Sequence, residues 1–142
     1  MDTVSPAVRS RRMAAVRRSG TRPELVVREI VKSLGHRLSG ATTELPGSPD
    51  LILLNRRKAI FVHGCFWHRH GCSRTTTPSS NRRFWEQKFL ANERRDRRVV
   101  RQLRRLGWSI AIVWECETRP RSRRILVRRL TRFLQRKPRR FA

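Results

Sequence analysis

The chain has 142 residues and is 37% hydrophobic, enough for one domain with a core of ordinary size and too little for a second. Thirty-five Lys plus Arg against ten Asp plus Glu leave a formal charge of +25, which a compact chain carries poorly unless a polyanion offsets it, so nucleic acid is the expected partner. Three cysteines, an odd number, argue against a secreted disulfide framework, the apolar runs LILL and AIFV are too short to span a bilayer, and MDTVSPAVRSRRM lacks the apolar core of a signal peptide, so a soluble cytoplasmic protein without a membrane partner is expected.

Only Lys32, Lys58, Lys88 and Lys137 are lysines, so genomic composition is a second source for the many arginines. Attraction to phosphate acts whatever that source. Residues 1–20 are basic without a sustained apolar period and read as an arm, leaving residues 21–142 as the single domain. TRPELVVREIVKSLG opens with a helix start: Thr21 can cap, Pro23 suits the first turn, and Glu24 stands three residues after Thr21 as in a capping box. Leu25, Val26, Ile30 and Leu34 are its expected buried stripe, and Gly35 its end.

A short strand is expected near residues 36–41, then the loop ELPGSPD. DLILLN and KAIFVHG suggest an antiparallel hairpin turning at Arg56 and Arg57. That turn would set Leu54 opposite Ala59, Ile52 opposite Phe61 and Asp50 opposite His63, with opposed β-carbons about 5 Å apart. A polar helix is expected from Arg82 to Leu106, ending at Gly107, then a buried strand WSIAIVWE that delivers Cys116. Residues 122–136 read as a basic amphipathic helix with Leu126, Leu130, Phe133 and Leu134 inward. The order helix, strands, helix, strand, helix predicts a mixed α/β domain with one central sheet.

The stretch HGCFWHRHGC, residues 63–72, gathers three of the four histidines and two of the three cysteines. Structural zinc takes four Cys or His ligands in a tetrahedron, and Cys65, His70, Cys72 and Cys116 satisfy that count. Other choices of ligand stay open, as does a reading in which the cysteines are small buried hydrophobes and the histidines are solvated. With that choice His63 and His68 are left for acid and base work, which histidine performs near neutrality when a carboxylate orients it. Asp96 on the following helix is such a carboxylate, or else an ion-pair partner of its arginine neighbours. Asp50, after Pro49 at a strand start, could hold a divalent ion such as Mg2+, or be a solvated loop residue. Phe66 and Trp67 in the cluster and Phe84 and Trp85 at the next helix start are candidates to wedge between bases, while Trp108 and Trp114 read as core.

The segments PGSPD, IFVHGCFWHRHGC, FWEQK, the N-x-x-R-D pattern from Asn92 to Asp96, LGW and VWEC, in that order, resemble the very short patch repair (Vsr) endonucleases over roughly residues 9–118. The resemblance implies a restriction-endonuclease-like fold and a nick on the 5′ side of the thymine in a G·T mismatch left by deaminated 5-methylcytosine. It also implies Mg2+-dependent phosphodiester hydrolysis with Asp50 as metal ligand, His68 oriented by Asp96 as general base, and His63 on the scissile phosphate. Cys65, His70, Cys72 and Cys116 match the family's structural zinc ligands, Phe66, Trp67 and Trp85 its intercalating aromatics, Glu24 an acid near its active site, and Arg9 to Met13 a DNA-gripping arm. Related nucleases of this fold place E-x-K where Phe61-Val62-His63 stands, and the family commonly has Thr at Val62. A backbone carbonyl from Val62 would serve the metal as well as one from Thr. The expected partner is mismatched duplex DNA, met by a monomer working beside a cytosine-methylation system. A non-catalytic, zinc-stabilised nucleic-acid-binding protein is the alternative from another class, and a nuclease of the same fold without mismatch preference is a third reading.

Overall fold

The computed structural model describes residues 21–39, 45–65 and 79–137. The basic arm, and the cluster positions Phe66, Trp67, His68, His70 and Cys72, lie outside the described residues. Helix α1 (Arg22–Ser33) starts as its sequence dictates: Thr21 caps it, its hydroxyl accepting the Glu24 N–H at 3.4 Å, and Pro23 occupies the first turn. Its buried face is Val27, Ile30 and Val31 together with Glu24, and Val26 and Leu34 pack at the margin. Leu25 does not belong to that face and is 53% exposed. It stands two positions, about 200°, round the helix from Val27, on the side away from the sheet.

Among the described residues, three strands form one sheet in the order β1 (Leu51–Leu53), β2 (Lys58–His63), β3 (Ser109–Trp114). β1 and β2 are antiparallel and β2 and β3 parallel. The hairpin exists, but its register differs from the expected one by two residues: Leu51 faces Ile60, Ile52 faces Ala59 and Leu53 faces Lys58. The turn is longer than Arg56-Arg57, running through a single 3-10 turn at Leu54–Arg56 and closing on Arg57 in the left-handed region (φ 51°, ψ 48°). A slip of two leaves each side chain on its expected face, since the pleat has period two, but it sets position 50 across from Phe61 and not His63. The strand expected near residues 36–41 shrinks to one bridge, in which Ser39 N–H donates to the Ile52 carbonyl at 2.8 Å.

Side chains alternate across the sheet into two cores. Leu51, Leu53, Ile60, Ala111 and Val113 pack with α1 and with α3 (Arg123–Gln135), while Ile52, Ala59 and Phe61 pack with Val99 and Leu103 of α2 (Arg82–Arg105) and with Trp108. The α3 face is the expected one, Leu126, Leu130, Phe133 and Leu134. α2 ends in a reciprocal cap: Gly107, at φ 88°, donates to Arg104 O and Trp108 to Leu103 O, each at 3.0 Å. The tail of α3 is held from within by Lys58, which is fully buried and donates to the carbonyls of Phe133, Leu134 and Arg136 at 2.6, 2.9 and 2.6 Å. Burial lowers the Lys58 pKa below the ordinary lysine value, with Arg56 and Arg136 adding repulsion. No described helix is long and apolar enough to cross a membrane.

Candidate active site

β2 and β3 run parallel and finish level, His63 beside Trp114. β1 runs the other way, so its start meets their ends. Asp50, His63 and Cys65, and Cys116 therefore gather at one edge of the sheet, the carboxyl end of its parallel strands, where open α/β sheets ordinarily bind ligands.

Asp50 is half-buried, and its Oδ2 accepts the N–H of Val62 at 2.7 Å. N–H and C=O of one strand residue point to the same side, so the Val62 carbonyl also faces the edge that Asp50 occupies. The Val62 side chain goes the other way, against the core beneath α1 and α3. A carboxylate and a carbonyl on one edge are hard oxygen donors of the kind Mg2+ takes with waters and substrate phosphate.

The turn before Asp50 is seated on α2. Gly47 has φ 73°, and a Cβ there would overlap the methyl groups of Val99. Asp96, half-buried, stands one turn before Val99 on that helix, so the helix that carries Asp96 also seats the turn that delivers Asp50. Glu24 is 6% exposed, in the first turn of α1, with Arg28 at 3.5 Å. α1 packs on β2 and on the 3-10 turn Glu115–Thr118.

His63 is buried, its ring tilted on Phe61 at 5.6 Å and edge-on to Trp114 at 5.4 Å. Trp114 as a wall of this histidine was not legible before the parallel register was known. Cys65 is buried and Cys116 half-buried, neither in a disulfide, each two residues beyond the last rung of the β2–β3 ladder. Their reduced thiols suit zinc, and the two residues expected to complete that set, His70 and Cys72, lie outside the described residues. Trp85 is only 8% exposed, stacked on Phe89 at 5.9 Å and edge-on to Phe84 at 5.4 Å. Phe84, 56% exposed, is the solvent-facing member, with Lys88 over both rings.

A small sheet covered by helices on both faces, with an acid entering at the carboxyl end of its parallel pair, fits the restriction-endonuclease-like class. The family model for DNA mismatch endonuclease Vsr matches residues 1–74. Type II nicking enzyme V.XorIIP of Xanthomonas oryzae pv. oryzae is 44% identical over 116 residues, 82% of this chain and 85% of that one. DNA mismatch endonuclease Vsr of Escherichia coli is 37% identical over 122 residues, 86% of this chain and 78% of its own. Type II nicking enzyme V.NmeAIP of Neisseria meningitidis is 32% identical over 134 residues, 94% of each. The chain belongs to the Vsr family of DNA mismatch endonucleases.

Proposed function

We propose that the protein nicks one strand of duplex DNA on the 5′ side of the thymine in a G·T mismatch, initiating very short patch repair where 5-methylcytosine has deaminated. The observation that carries the chemistry is the shared edge of Asp50 and Val62, an acid and a backbone carbonyl at the carboxyl end of the parallel strands. Mg2+ held there by the Asp50 carboxylate and the Val62 carbonyl would supply charge neutralisation at the scissile phosphate. His63, its ring held between Phe61 and Trp114, would stabilise the charge of that phosphate. His68 takes the proton from the attacking water, oriented by Asp96 on the helix that seats the Asp50 turn. Glu24, in the first turn of α1 with its N–H capped by Thr21, would add an acid near the same edge.

Zinc bound by Cys65, His70, Cys72 and Cys116 would tie the cluster to the end of β3 and so fix the position of His68. Phe66 and Trp67 would wedge beside the mismatch, and Trp85, 8% exposed in its stack with Phe84 and Phe89, would have to turn out of that stack to join them. The basic arm grips the backbone, and one monomer suffices because one strand is cut. A cytosine-methylation system would generate the lesion.

The test is an end-labelled duplex with one G·T mismatch in a cytosine-methylation context, incubated with Mg2+, beside its G·C counterpart and beside Asp50→Ala. A nick at the mismatched thymine that needs the mismatch, the metal and Asp50 is the expected result. Binding across several flanking sequences without any nick would sink the catalytic reading and leave a zinc-stabilised binding protein.

A further inference from the structure

α3 carries an arginine at every fourth position, Arg124, Arg128 and Arg132, all exposed. Arg121 before the helix and Arg136 at its C-cap, also exposed, extend the line at both ends. Residues four apart on a helix are neighbours, so these like charges repel one another. Arg123 and Arg124 also stand in the first turn, which holds no acid and where the helix dipole disfavours cations. No acid follows Glu117 anywhere in the sequence. Glu117 itself is taken by Arg129 at 2.6 Å, which holds α3 to the end of β3. The stripe thus opposes the helix that bears it, while the opposite face, Leu126 to Leu134, is what docks the helix.

Its direction is informative. α3 begins beyond the Glu115–Thr118 turn, at the edge where Asp50 and His63 gather, and ends on Lys58 at the far end of β2. The stripe leads away from the nick site. We propose that Arg124, Arg128 and Arg132 form a second contact with the backbone of duplex DNA, independent of sequence and separate from the nick site. The inference rests on DNA being the substrate. Three guanidinium forks over about 12 Å of helix, at 1.5 Å per residue, meet the phosphates of some three to four nucleotides at about 3.4 Å each.

The full chain and a variant with Arg124→Gln, Arg128→Gln and Arg132→Gln are titrated by fluorescence anisotropy onto a matched duplex over a range of NaCl. Gln matches Arg in helix propensity, so the helix is not weakened by the change. The expected result is a slope of log K against log salt shallower by about 2.7, at about 0.9 for each phosphate that is no longer neutralised. The thermal midpoint of the free variant stays or rises, and the single-turnover nicking rate at saturating protein is unchanged. The corresponding triple Lys variant, which keeps the charge, restores the slope. An unchanged slope would overturn the proposal, leaving a solvated face, and so would a Lys variant that behaves like the Gln one. Failure of the unaltered protein to nick a mismatch would count against the proposed function and leave this slope comparison readable.

Discussion

The Val62 side chain packs on the core beneath α1 and α3, while its N–H reaches Asp50. A threonine hydroxyl there would meet that core and not the edge, so the backbone is what this position offers to the site. Val62→Thr is therefore expected to keep the single-turnover nicking rate within about twofold, under about 0.5 kcal/mol of barrier. A large gain in rate would show that the hydroxyl matters. The place of Asp50 at the head of a strand was legible in the sequence, because Pro49 precedes it and an apolar run follows. The buried role of Lys58 was not, since it reads only as the first residue of the strand KAIFVHG, and its carbonyl partners lie 75 to 78 positions away. Replacing it by Met strands carbonyls at about 1–3 kcal/mol each, so a loss of about 3 kcal/mol in urea unfolding is expected. Because the folded-state pKa is lowered, the unfolded chain holds the Lys58 proton to higher pH than the folded one. Between those two values stability rises with pH, and is lost again as pH falls through the folded value. The unaltered protein should thus gain on Lys58→Met as pH climbs toward the ordinary lysine value, read from urea midpoints of both.

At the scale of elements, patterns with a long period were readable and local backbone choices were not. The α3 face and the Gly107 stop stand where the sequence put them, because thirteen residues of apolar period and a glycine in the left-handed region leave few alternatives. The hairpin register depended on four residues, and nothing in Asn55-Arg56-Arg57 announces that Arg57 adopts φ 51°. The α1 stripe was misplaced by Leu25 because the helix carries apolar residues on both sides of its N-terminal turn. The Gly47 turn joins two elements, and its side-chain space is taken by Val99 of α2. Gly47→Ala should cost about 1–2 kcal/mol for the left-handed backbone and a further 1–3 kcal/mol for the overlap. It should also lower nicking at saturating DNA by moving Asp50, a loss that Leu106→Ala, at an exposed site on the same helix end, does not share. Denaturation curves paired with single-turnover rates separate the two effects, and a stable but slow Gly47→Ala protein would place the damage at Asp50.

For the whole molecule, the charge sets two salt dependences of opposite sign. Ion pairs such as Arg129 with Glu117 and the exposed Arg82 with Glu86 use one cation for each anion, so they cannot absorb an excess of +25. Salt weakens such pairs, but it also shortens the reach of the unbalanced repulsion, to about 10 Å at 0.1 M. With thirty-five cations against ten anions, the second effect is the larger. The thermal midpoint of the free protein should therefore rise from low to moderate NaCl, measured by calorimetry. Affinity for DNA should fall over the same range, because phosphate contacts release counterions whose return to the DNA costs more as salt rises. DNA at low salt should then raise the midpoint more than NaCl does, since the polyanion neutralises the arginines at fixed positions while salt only screens them. A midpoint that falls on adding NaCl to the free protein would mean that paired charges govern its stability, and the excess of arginine would need an explanation other than an absent polyanion.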